Sequence, residues 1–151
     1  MKNIFRNILL AAGLIFMLVL TACGPTPTQA PAEPASAKVT VQGEVNTELT
    51  LTTVDPAGLE IVKVAAEHPK NGPGEYEGVR LNAVLEKAGV KEGASTLLIT
   101  ASDGFSYEAP LADVQACADC LIGIEEGKFN MVMPGMSSKA WVKDVITIEV
   151  K

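Results

Sequence analysis

Two thiols and a lone imidazole are the side chains here most capable of chemistry beyond packing. Cys117 and Cys120 stand as Cys-Ala-Asp-Cys, and that spacing leaves three readings open. The pair can be a local disulfide, or simply two thiols near a loop. It can be a thiol-exchange pair, because a close dithiol can ease the loss of one proton. It can also be half of a metal site, but zinc takes about four ligands, and the single histidine, His68, is the other soft donor in the folded part. A thioredoxin-like pair would open a helix that follows a strand. A short helix over 110–116 is expected before this motif and a strand at Leu121-Ile122 after it, which is the reverse order.

The third cysteine sits in a different context. Lys2 and Arg6 precede an apolar stretch from Ile8 to Leu20, which ends at Leu20-Thr21-Ala22-Cys23-Gly24. That order of charge, hydrophobic run and small residues is the order of a secretory leader. A membrane-spanning helix needs about 20 uninterrupted apolar residues, and Gly13 and Thr21 bracket a shorter run. Leu-Thr-Ala-Cys resembles the bacterial lipobox, which implies cleavage before Cys23 and a thioether-linked lipid on its sulfur. Acyl chains contribute about 0.8 kcal/mol per buried methylene, so Cys23 is expected to hold the protein to a membrane outside the cytoplasm. A sulfur so modified is lost to redox chemistry.

Between Gly24 and Ala37 lie four prolines and no large apolar side chain. Such a stretch cannot bury enough surface to fold and is expected to act as an extended, semi-rigid tether. The expected organisation is therefore a leader over 1–22, a tether over 23–37 and one folded domain over 38–151, a usual size for a single core. The formal net charge is −6; removing a leader that carries Lys2 and Arg6 and no acid leaves −8. With no lysine or arginine cluster, nucleic acid is excluded as a partner, since a negative field repels phosphates.

In the folded part, Val39 and Val41 alternate with polar residues over 38–43, and Leu49 and Leu51 do so over 48–53, both at the period of a half-buried strand. Asp55-Pro56-Ala57-Gly58 is a turn. A third strand is expected over 59–66, and Glu67 to Gly74, with two prolines and two glycines around His68, reads as a loop. Leu81, Val84, Leu85 and Ala88 recur at the spacing of one helix face, so 80–89 is the main amphipathic helix, with Gly89 just past its end. Thr96 to Ala101 is expected as a central strand and Asp103-Gly104 as a hairpin turn leading into 105–109. The helix and cysteine pair follow, then strands over 121–124 and 129–133 around a second hairpin turn, and last an alternating strand over 145–150. Strands outnumber helices, and their short connections point to mixed or antiparallel pairing.

This order of elements resembles the molybdopterin-binding oxidoreductase domain of the sulfite-oxidase-like type. The matching stretches are Val-Thr-Val-Gln-Gly-Glu-Val over 39–45, the Tyr-Glu-Gly-Val segment with its helix over 76–90, residues 100–111, Val-Met-Pro-Gly-Met over 132–136 and Trp-Val-Lys to Ile-Glu-Val over 141–150. The resemblance implies an α+β fold, a mixed and mostly β small domain with one main amphipathic helix. It also implies a cysteine thiolate on molybdenum, carried between the third strand and the Tyr-Glu-Gly-Val segment. In this chain the segment reads Val-Lys-Val-Ala-Ala-Glu-His-Pro-Lys-Asn-Gly over 62–72. It has no cysteine, and Ala65, Ala66 and Glu67 cannot supply the soft ligand that such a metal prefers. For the pterin phosphate the segment offers only His68 and Lys70.

A fold can persist without its chemistry. The expectation is a non-catalytic binding or accessory domain with no cofactor and an unspecified small-molecule or protein partner. Its candidate surface is made of three loops, with His68, Lys70 and Tyr76 on the first, Asp103 and Phe105 on the second and Trp141 on the third. Each has a plainer role: His68 as a solvated loop residue, Trp141 as a packing residue, and Met131, Met133 and Met136 as core filler. The alternatives are a molybdenum-pterin-dependent oxidoreductase and a thiol redox protein that uses Cys117 and Cys120.

Overall fold

Alternating apolar side chains build most of the strands in the computed structural model, which describes residues 37–151. The leader, Cys23 and nearly all of the tether lie outside the described residues. β1 (Lys38–Gly43) buries Val39 and Val41, and β2 (Leu49–Thr52) buries Leu49 and Leu51 on the same side. These two pair antiparallel, and the Asp55 turn follows, with the Asp55 carboxylate accepting from the Gly58 amide at 3.1 Å. β9 (Val145–Val150) lies parallel to β1 and antiparallel to β5 (Thr96–Ala101), which pairs with β6 (Ser106–Pro110). The first sheet is thus five-stranded and mixed, in the order β2-β1-β9-β5-β6. The strand expected over 96–101 is interior, with β9 and β6 on its two sides, and β9 takes the middle position.

The second sheet has four strands in the order β3-β4-β7-β8, all antiparallel. Here the structure corrects the sequence reading. β3 (Ile61–His68) runs past Ala66, and the expected loop over 67–74 is a hairpin whose second strand is β4 (Gly72–Arg80). Only Pro69, Lys70 and Asn71 remain as its turn, because pairing holds from Ile61 opposite Val79 to His68 opposite Gly72. β7 (Leu121–Glu125) and β8 (Lys128–Val132) complete the sheet.

The helix α1 (Leu81–Ala88) buries Leu81, Val84, Leu85 and Ala88 and ends at Gly89 in the left-handed conformation. α2 (Leu111–Ala116) anchors itself through Leu111 and Val114. One core joins side chains from both sheets and both helices, among them Val41, Leu51, Leu85, Ile99, Phe129, Met131 and Ile148. Among the described residues, no helix is long and apolar enough to cross a membrane.

Candidate functional site

The β3–β4 hairpin positions the first group of side chains. Residues 64, 66 and 68 of β3 pair with 76, 74 and 72 of β4, so they share a face. Ala66, Gly72 and Gly74 are small, and the space beside Gly74 is taken by an aromatic ring. The Tyr76 ring folds back over Gly74, where an added methyl would meet its hydroxyl at 3.1 Å. Trp141 packs edge-on against both His68, at 4.7 Å between ring centres, and Tyr76, at 5.2 Å. Such pairs contribute about 0.5–1.5 kcal/mol beyond area burial.

His68 is therefore not a solvated loop residue. It ends a strand half-buried, and its Nδ1 accepts from the amides of Lys70 at 3.1 Å and Asn71 at 3.2 Å, which fixes the turn. Trp141 is 9% exposed, the packing role expected for it, and its indole N–H is buried without an acceptor among the described residues. Of the six residues proposed from sequence, the structure brings together His68, Tyr76 and Trp141. Lys70 is exposed in the turn beside them. Asp103 and Phe105 belong instead to the β5–β6 turn of the other sheet, where the Asp103 carboxylate accepts from the Phe105 amide at 2.9 Å. Met131 and Met133 are buried, and Met136 packs against the core.

Next to the aromatic trio the second sheet splits. β4 pairs with β7 only over 78–80 and 121–123. They approach so closely at Gly78 that a Cβ there would lie 2.2 Å from the Ile122 carbonyl oxygen. Beyond that crossing the strands part and leave a cleft of about 170 Å³. Glu75, Tyr76 and Glu77 of β4 face Ile124 and Glu125 of β7 across it, with Asn130 and Val132 of β8 behind. Glu77 is paired with Lys63 at 3.2 Å, and Glu125 accepts from the Asn130 side-chain Nδ2 at 3.1 Å. Glu75 has no ion pair or side-chain hydrogen bond among the described residues.

Asn130 ties this cleft to a polar knot, since its Oδ1 accepts from the Asp144 amide at 2.9 Å. The Asp144 carboxylate takes the Ser102 hydroxyl at 2.8 Å and the Lys128 ammonium at 3.1 Å. The Ser102 hydrogen bond, followed by that from Lys128, holds this carboxyl below its ordinary value.

Cys117 and Cys120 form a disulfide. Cys120 is fully buried and Cys117 half-buried, with its sulfur 3.9 Å from the Pro134 carbonyl oxygen. Three consecutive residues at the β4–α1 junction clamp this loop. The Arg80 guanidinium donates to the Ala118 carbonyl and to Asp119, the Leu81 amide donates to the Cys120 carbonyl, and the Asn82 Nδ2 donates to the carbonyls of Gln115 and Cys117. Neither the cleft nor the clamp was found from sequence. The alternating acids Glu75 and Glu77 were the available signal, and it has meaning only on a strand.

No family model and no curated protein matches this chain. Among solved structures, the sulfane dehydrogenase SoxCD from Paracoccus pantotrophus is similar, with a TM-score of 0.64 at 18% sequence identity. The match covers 78% of this chain and 39% of that one, so the present chain corresponds to well under half of the enzyme. The likeness shows that this chain shares its fold with part of that enzyme. Among the described residues, no group of three or more histidine, cysteine, aspartate or glutamate side chains is arranged to hold a metal ion.

Proposed function

We propose that this protein is a non-catalytic binding or accessory module, held outside the cytoplasmic membrane by a lipid on Cys23, which keeps an oxidoreductase scaffold without its metal chemistry. One observation carries the reading. The two cysteines among the described residues are bonded to each other, and the hairpin where the family's ligand is expected presents alanine, glutamate and a histidine engaged by two amides. No thiolate is offered to a soft metal there.

Charge supports the same conclusion. A phosphate-bearing cofactor calls for cations, yet the cleft beside this hairpin is bordered by Glu75, Glu77 and Glu125. Its volume of about 170 Å³ is also below the roughly 300–1,000 Å³ usual for cofactor sites. The residues present do not fit a molybdenum-pterin group. The disulfide favours a structural role over thiol exchange, because Cys117 caps the C-terminal, electronegative end of α2 and the Arg80 guanidinium at this loop is engaged by the Ala118 carbonyl and Asp119, whereas activated cysteines sit at helix N-termini or beside cations.

The test is metal analysis of protein produced in a host that makes the molybdenum cofactor. The expected molybdenum content is negligible. A near-stoichiometric content would overturn the accessory reading.

A further inference from the structure

The geometry points to the split between β4 and β7 as a docking site for an extended protein segment that inserts a lysine or arginine side chain. This rests on the binding-module reading and names the partner chemistry for it. Extending the β4–β7 register past Gly78 and Gly123 would set Glu77 opposite Ile124 and Tyr76 opposite Glu125. These four residues line an opening instead. Among the described residues, β4 has a strand partner over Gly72–Glu77 in β3 alone, so its other edge is free inside the sheet. A free strand edge is the element that binds extended peptides by main-chain hydrogen bonds, with adjoining pockets selecting side chains.

The pocket selects a long cation. Its volume of about 170 Å³ holds one such side chain. Tyr76, Ile124 and Val132 line the opening for the methylene stem, and Glu75, Glu77 and Glu125 line it as well, Glu75 and Glu77 on the opposite face of β4 from Tyr76. That suits a side chain that buries its stem and keeps its charge near the surface. Among the described residues Glu75 is the carboxylate without a partner, so the site has a negative charge to meet a cation. The −8 charge of the chain without its leader raises the encounter rate with basic segments in the same direction.

The experiment uses the full-length chain in a non-ionic detergent at low salt, with acetyl-(Val-Lys)3-amide as the probe and backbone amide chemical shifts as the readout. The expected result is saturable shifts confined to Glu75–Glu77 and Gly123–Glu125. The affinity is expected to fall at least tenfold in a Glu75→Gln, Glu125→Gln variant, in which the side-chain carbonyl introduced at position 125 can still accept from Asn130. Acetyl-(Pro-Lys)3-amide has the same charge but cannot add as a strand. Equal binding of that peptide, shifts at other residues or no saturable binding would each overturn the proposal. Such a failure leaves the molybdenum-free reading standing, whereas molybdenum loading would sink that reading without touching the peptide result.

Discussion

Replacing Cys117 by serine and Cys120 by alanine removes the cross-link without placing a hydroxyl in the core, since Cys120 is fully buried and Cys117 only half so. The bridge spans a sequence separation of 3. For a loop of about four residues, the loss of chain entropy in the unfolded state corresponds to about 1.9 kcal/mol. The clamps from Arg80, Leu81 and Asn82 act on backbone and side-chain groups that the substitutions leave in place, so the folded loop is expected to keep its shape. With an unfolding entropy of about 2.1 cal/mol/K per residue over the described domain, the melting midpoint should fall by roughly 8 °C. Thermal unfolding followed by circular dichroism checks this, and the wild type in excess dithiothreitol should melt with the variant. A change below about 2 °C would refute the reasoning, because the bridge would then not be restricting the unfolded chain.

Asn82 donates to two carbonyls at the end of α2; Asn82→Asp cannot donate and sets a charge against the helix's negative end. Urea unfolding should show a loss of about 1–3 kcal/mol, larger than that of Asn82→Ala. The depressed Asp144 carboxyl contributes stability that is complete above its unfolded value of 3.8 and is lost as the pH falls through the lower folded value. Asp144→Asn should therefore be less stable than the wild type at neutral pH, and the two should converge below pH 3.8 in acid unfolding curves. Asparagine also tolerates the left-handed backbone at this position, where φ is 52°. Because His68 shields the sole tryptophan, His68→Ala should red-shift Trp141 emission with the far-ultraviolet spectrum unchanged; an unmoved maximum would contradict the packing described.

Elements with a clean period were legible in the sequence. β1, β2, β9 and α1 carry their core residues at the spacing their backbone imposes, and their bounds fall within a residue or two of expectation. β4 was not legible, because Gly72, Pro73, Gly74 and Gly78 are the residues that usually break strands. Its structure is imposed from outside, by the β3 ladder, by the Tyr76 ring that lies over Gly74 and by the β7 backbone that crosses at Gly78. For the same reason His68 reads as solvated from its neighbours in sequence and is packed by Trp141, 73 positions away. Asp103 and Phe105 carried a turn signal that was correct for the backbone and had no bearing on the site. The cysteine spacing left three outcomes open, and only the distance between the sulfurs chooses the disulfide.

The placing of β9 between β1 and β5 has a consequence for how the protein is made. The strand that joins the two halves of the five-stranded sheet is the last of the nine to leave the ribosome, and its parallel neighbour β1 was made about a hundred residues earlier. Until residue 150 emerges, the two hairpins lack the strand that joins them into one sheet, and the long loop between the paired ends makes closure slow. The five-stranded sheet therefore closes only once the strand ending at Val150 has been made.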